Sequence, residues 1–242
     1  MIDTHCHIDL YNRPEKILQE CEKADMTVLA MTNLPSHFEM GHPHVLPFNK
    51  IRLALGMHPL HAKEHDKEFP KFLKNLSKTS YIGEIGLDYS REGHPTKGIQ
   101  LVSFNKILKA LDGQKKVLSL HSRRAENEVF SQLIEKKIKG AIFHWYSGPI
   151  SLIHKIANAG YYFSINPGMI NSENGRKIIS TIPWDKVLPE TDGPFTEIDG
   201  RQTKPTDIAI VYQYFERLWD KTDQEVKLII SANFQRLLST IK

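Results

Sequence analysis

Apolar positions along this chain fall into short runs separated by longer stretches with helical spacing. Runs rich in Val, Ile, Leu and aromatic residues predict strands at about 1–5, 27–32, 51–56, 81–86, 116–121, 140–144, 161–165 and 186–190. Between them, apolar residues at i, i+3 and i+4 predict helices over 14–24, 70–76, 99–111, 125–137 and 149–158. The segment after 204 reads as two or three helices, over 205–219, 223–230 and 232–238. Strands that alternate with helices pair in parallel. Eight of them predict an α/β fold closed as one (β/α)8 TIM barrel spanning residues 1–242. No linker, repeat or low-complexity tract marks a second domain.

Composition narrows the class without changing the fold. At 242 residues, with 40% hydrophobic and 25% charged residues, the chain suits a globular domain with a full core. No run approaches the roughly 20 apolar residues of a membrane span. Asp3, His5 and His7 argue against a signal peptide, and two cysteines make no disulfide framework. A reducing, cytoplasmic setting is the expectation. The net charge of +4 is compatible with a polyanionic substrate, yet falls far short of a protein that holds DNA by charge alone.

The chemistry collects where a barrel demands it, at the C-terminal ends of strands. His5 and His7 end the first strand, and alternate side chains of an extended segment share a face. Chance alone yields about 0.6 such His-x-His pairs in a chain with this histidine content. His42-Pro43-His44, in a Pro-rich stretch, reads as a loop without function. His5 and His7 gain weight from Glu84, His121, His144 and Asp192, which stand at the same end of other strands. A lone histidine on an apolar strand is most often a satisfied core residue; polar groups at one end of five strands are not five coincidences.

Four imidazoles and two carboxylates exceed one tetrahedral site with an open position, and suit two divalent ions that share a carboxylate. Glu84 is assigned as the bridge, with His5, His7 and Asp192 on one ion and His121 and His144 on the other. Two such ions activate water and stabilise the attacking and leaving oxygens, which suits phosphoester hydrolysis first and amide or ester hydrolysis second. Mg²⁺, Mn²⁺ or Zn²⁺ fits the donor set. Glu84 and Asp192 are the catalytic candidates, with Asp192 as proton acceptor. Arg123 offers a planar fork for a phosphate, and His58 and His61 offer donors to its oxygens. Of Trp145 and Tyr146, one is expected to stack a base and the other to pack in the core. Arg91, Lys97, Arg201 and Lys204 lie in loops where they either track a backbone or are simply solvated.

The motifs together resemble the TatD family of metal-dependent deoxyribonucleases over essentially the whole length. Asp3-Thr4-His5-Cys6-His7 resembles its opening D-x-H-x-H, and residues 56–59 its G-x-H-P. Residues 83–89 match G-E-x-G-L-D-Y, 121–123 H-x-R, 144–148 H-x-x-S-G and 190–194 E-T-D-x-P. The closing Ala232-Asn233-Phe234-Gln235-Arg236-Leu237 is similar to the family's final helix. The resemblance implies 3′→5′ exonuclease action on single-stranded DNA, and in some members RNA, with Mg²⁺ or similar ions. Two departures bear on substrate fit: the family's His-Pro-His reads His58-Pro59-Leu60-His61, and its Cys-Phe reads Trp145-Tyr146. Met31-Thr32-Asn33-Leu34-Pro35-Ser36 resembles the TatD-like nucleases of the bacterial Qat anti-phage defence system, which implies other components of that system as partners. The rival readings are a two-metal amidohydrolase or esterase for a small substrate, and a nucleic-acid-binding subunit with little turnover. Glu84, where many amidohydrolases carry a carboxylated lysine, argues against the first; six converging polar groups argue against the second.

Overall fold

A computed structural model describes residues 1–241. The strands are β1 (Ile2–Cys6), β2 (Thr27–Ala30), β3 (Ile51–Leu53), β4 (Leu55–Met57), β5 (Tyr81–Gly86), β6 (Val117–His121), β7 (Ala141–His144), β8 (Tyr162–Ile165) and β9 (Val187–Pro189). All pair in parallel in chain order, and β3 and β4 are two halves of one barrel position interrupted at Ala54. The ring closes where the last strand meets the first. Thr4 Oγ1 donates to Pro189 O at 2.9 Å, Asp192 N to His5 O at 2.9 Å and His7 N to Gly193 O at 2.8 Å. The sequence-based barrel is therefore the observed fold, with each of its eight strands in place.

Helices α1 (Pro14–Lys23), α2 (Pro35–Val45), α3 (His65–Asn75), α4 (Lys97–Ala110), α5 (Glu126–Glu135), α6 (Ile150–Asn158), α7 (Pro167–Asn171), α8 (Glu173–Thr181), α9 (Ala209–Trp219) and α10 (Asp223–Ser239) cover the ring. Two expectations need correction. The His42-Pro43-His44 stretch is the last turn of α2, seeded by Pro35 at its start and anchored by buried Phe38 and Val45. Pro70 does not open a helix but lies inside α3. Of the two or three helices expected after 204, the structure has α9 and α10: the Thr222–Glu225 capping box starts α10 and nothing in the chain stops it before Ser239. Helices α7 and α8 fill the stretch between the strands at 161–165 and 186–190, to which the sequence pattern assigns no element. A two-residue hairpin, β10 (Glu197–Ile198) with β11 (Arg201–Gln202), follows the last strand. Among the described residues, no helix is long and apolar enough to cross a membrane.

Alternation along the strands divides the core in two. Leu118, Leu120, Phe143, Phe163 and Val187 pack outward under the helices. Leu29, Met31, Ala54, Val117, Ile142, Tyr162 and Leu188 fill the barrel, floored by Phe234 and Leu237 of α10. The next inward layer turns polar, with Ser119 and Ser164, and above it stand the ionisable groups. The apolar floor thus holds a polar mouth. Gly56 makes one close approach possible: a Cβ there would stand 1.5 Å from Thr32 O and 2.9 Å from Gly83 O. Across this position Thr32 N donates directly to Gly83 O and Glu84 N to Thr32 O, at 3.2 and 3.1 Å.

Candidate metal centre

Each ligand-type side chain at the mouth is aimed by the end of its own strand. His5 ends the inward row of β1, and its Nδ1 is tied to Ser119 Oγ of β6 at 2.7 Å. Pairing of β5 with β6 slips between Ile82 and Ile85, and Glu84 sits at that slip, where a ladder irregularity can re-aim a side chain. His121 ends β6 and His144 ends β7. Asp192 takes the left-handed conformation, φ +48°, just past β9, with its amide on His5 O. The six groups, scattered from residue 5 to residue 192, meet in one buried cluster.

Glu84 stands at its centre and faces two ways. Its Oε2 lies 3.3 Å from His7 Nε2 and 3.6 Å from His5 Nε2. Its Oε1 lies 2.5 Å from His121 Nδ1, 3.0 Å from His144 Nε2 and 3.3 Å from His58 Nε2. Asp192 Oδ1 is 3.5 Å from His5 Nε2 and 3.9 Å from His7 Nε2, and the two imidazole nitrogens are 3.2 Å apart. Ligands at about 2.1 Å from a four- to six-coordinate divalent ion stand about 3.0–3.4 Å from one another. The observed separations lie near those edges. Asp192 Oδ1 is buried with no hydrogen-bond donor, a costly arrangement for a carboxylate oxygen unless a cation answers it. The residues present therefore fit a metal, with His5, His7 and Asp192 on one side of the Glu84 carboxylate and His121 and His144 on the other.

The charges within the cluster set its titration. Burial would raise Glu84, but the imidazoles of His58, His144 and His121 outweigh it and hold the carboxyl well below its usual range. Burial would lower His144, yet Glu84 and Glu190 push it well above an ordinary histidine; Glu84 and Asp88 raise His121 in the same way. His5, buried and next to His144, falls to about 3. Asp192 is raised well above an ordinary aspartate by burial and by the charges of Glu190, Glu84 and Asp3. Such a group readily takes a proton.

Around the cluster, the sequence-based candidates separate. His58 accepts a bond from Leu60 N on Nδ1 at 3.2 Å, so its proton sits on Nε2 and points at Glu84. His61 stands one row back, its ring 6.2 Å from that of His58. Arg123 is exposed, and among the described residues no carboxylate pairs with it. Trp145 is 36% exposed, whereas Tyr146 is 1% exposed, packs edge-on to Phe163 and donates to Pro149 O at 2.8 Å. Tyr146 is thus the member of the pair that packs in the core, with no face left for a base, and it is not a substrate-binding residue. Arg201 is paired with Asp207 at 2.7 and 2.8 Å, and Lys204 with Glu20 at 3.0 Å.

Three supporting residues were not singled out from the sequence. Asp88 Oδ2 lies 2.7 Å from His121 Nε2, and His121 with Ser90 holds its carboxyl down to about 2. Glu190 accepts from Trp145 N at 3.1 Å, Asn166 Nδ2 at 2.9 Å and the Ser164 hydroxyl, 3.5 Å from His144 Nδ1. Asp3 accepts from Thr191 N, Thr191 Oγ1 and His5 N, which locks the first strand to the last. Both Asp88 and Glu190 lie within the motifs quoted above; the signal available was a carboxylate just beyond a ligand-bearing strand.

A (β/α)8 barrel with buried imidazoles and carboxylates converging at its C-terminal mouth defines a metal-dependent hydrolase. The chain belongs to the family described as TatD related DNase, whose pattern it matches over residues 2–239. It is 28% identical over 244 residues to an uncharacterized metal-dependent hydrolase of Methanocaldococcus jannaschii, covering 96% of this chain and 94% of that one. It is 24% identical to the human deoxyribonuclease TATDN3, covering 100% and 96%. The crystal structure of YjjV, a TatD homolog from Escherichia coli K12, superposes with a TM-score of 0.88 at 23% identity, covering 98% of this chain and 97% of that one.

Proposed function

We propose that this protein is a two-metal deoxyribonuclease that removes nucleotides stepwise from the 3′ ends of single-stranded DNA, with RNA as a secondary substrate. The observation that carries the reading is the two-sided Glu84, whose Oε2 faces His5 and His7 and whose Oε1 faces His121 and His144. Divalent ions held there, Mg²⁺, Mn²⁺ or Zn²⁺, supply water activation and stabilisation of charge on the phosphoryl oxygens. The chain's own groups do the rest. Asp192, which burial and the neighbouring carboxylates push above an ordinary aspartate, would accept the proton of the attacking water. With cations on the Glu84 oxygens, the Nε2 proton of His58 would be free for a non-bridging phosphate oxygen, with His61 behind it, and Arg123, unpaired among the described residues, clamps a neighbouring phosphate. Trp145 stacks a base. Support for DNA as substrate comes from the deoxyribonuclease named among the relatives. Buried, unpaired Cys6 and Cys21 support a reducing, cytoplasmic setting. The anti-phage setting, with Qat components as partners, rests on the resemblance of residues 31–36.

The test is a digest of end-labelled linear single strands, the same strand circularised, and blunt duplex, each with Mg²⁺, Mn²⁺ or Zn²⁺ and with EDTA. The expected result is metal-dependent shortening of the linear strand from its 3′ end, with duplex far slower and the circle intact. A circle cut as fast as its linear form would make the enzyme an endonuclease. Turnover undiminished by EDTA would sink the reading altogether.

A further inference from the structure

We propose that Phe195 joins Trp145 as a second stacking platform, so that the metal centre is bracketed by two aromatic rings, one for the base on each side of the scissile phosphate. The inference rests on the nuclease reading above. Phe195 is 57% exposed and Trp145 36%. A single exposed apolar side chain is ordinary and proves nothing. These two differ in where they stand and in how firmly they are held.

Phe195 meets the ligand His7 with ring centroids 5.1 Å apart and planes at 84°, an edge contact. Its backbone is fixed to the site: Phe195 N donates to Asp192 O at 2.8 Å, and the intervening Gly193 O accepts from His7 N at 2.8 Å. Trp145 follows the ligand His144 and takes φ +38°, a left-handed conformation that a bulky residue keeps only under constraint. Glu190 supplies that constraint through Trp145 N. The indole lies over Gly168, where a Cβ would stand 3.0 Å from Cζ2, so the backing of this ring depends on a residue without a side chain.

Ring contacts run in series from Phe195 into the cluster. Phe195 meets His7, His7 meets His5 at 5.1 Å, His5 stacks on His144 at 3.9 Å, and His144 meets His121 at 5.9 Å. Phe195 therefore stands at one end of the imidazole row, whereas Trp145 follows His144 in the chain, and among the described residues no ring contact joins the two aromatics. Phe195 has no polar atom at all, and the only polar atom of the Trp145 ring is its indole N–H donor. Recognition by stacking alone tolerates every base but requires that the base be unstacked from its neighbours. The substrate class is thus an unpaired strand with a base on each side of the cut, read without sequence preference.

Metal-loaded protein should be given a linear single strand and the same strand with abasic sites at the terminal and penultimate positions. Phe195→Ala should raise KM on the intact strand about 5- to 100-fold, more than it lowers kcat. The wild type should already show a raised KM on the abasic strand, where Phe195→Ala adds little. Phe195→Tyr, which keeps the ring, should restore the intact-strand KM. Metal content by mass spectrometry should match the wild type in both variants. An unchanged KM in Phe195→Ala, equal losses on both strands, or loss of metal would each overturn the platform, the last two by making Phe195 a mere support for His7. A wild type that cuts neither strand overturns the nuclease reading and this inference with it. Cutting that ignores Phe195 overturns this inference alone.

Discussion

Most imidazoles at the mouth have a partner that is not itself placed among the ligands: Asp88 on His121, Ser119 on His5, Glu190 beside His144. Such partners fix tautomer and ring orientation, and losing one typically costs 10–100-fold in metal affinity or activity. Glu84 differs, because it faces both groups of nitrogens at once. Glu84→Ala should therefore lose both ions and bring turnover to background. Asp88→Asn should keep metal, bind it about 10- to 100-fold more weakly, and recover part of its turnover in excess cation. Metal titration followed by mass spectrometry and a nuclease assay ranks the two. A Glu84→Ala protein with its full metal complement would remove Glu84 from the centre, and an Asp88→Asn protein with wild-type affinity would make the 2.7 Å contact incidental.

At the scale of elements, the ring of strands is held to close tolerance. Gly56→Ala would drive a Cβ into Thr32 O, in backbone that cannot retreat because Thr32 also bonds Gly83 and Glu84. The loss should exceed about 4 kcal/mol, the range reserved for such defects, or prevent folding outright. Gly98, on α4 with nothing within 4 Å of a Cβ, makes the contrast: Gly98→Ala should gain up to about 1 kcal/mol in urea unfolding. Tolerance of alanine at Gly56 would show that the strands can part there. The strands themselves were legible in the sequence because buried parallel strands read as unbroken apolar runs. The ligands were legible because a barrel places chemistry at strand ends. What stayed hidden depends on turn geometry. Which of Trp145 and Tyr146 faces solvent follows from the left-handed backbone at Trp145, and no periodicity encodes that. Helix α2 was misread because Pro43, a breaker by habit, sits in its last turn, and α3 because Pro70 lies in its interior. Asp88 and Phe195 act through the paths of the loops that carry them, which run outside any repeating pattern.

Across the whole molecule, the proposed ligands come from β1 and the residue after it, from β5, β6 and β7 and from the turn after β9, so a cation bound there would tie together strands from both sides of the closing seam. Without it, the fold must bury several titratable groups whose charges suit one another only in part, as the unanswered Asp192 Oδ1 shows. An ion that binds the folded chain and not the unfolded one stabilises by mass action, about 2.7 kcal/mol at a hundred times its Kd. For a chain of this length that corresponds to a rise in Tm of roughly 5–10 °C. EDTA should remove the rise, and Glu84→Ala should abolish the response to added metal. The effect carries a sign with pH. Glu84 with Glu190 raises His144, and Glu84 with Asp88 raises His121, so protons hold those nitrogens at higher pH than an ordinary histidine would. Cation binding must displace these protons, and the metal-dependent part of the Tm should shrink as pH falls. Scanning calorimetry with and without metal over a pH series measures this directly. A wild-type Tm indifferent to EDTA at neutral pH would mean that the cluster holds itself together, and that the cation is not part of the folded state.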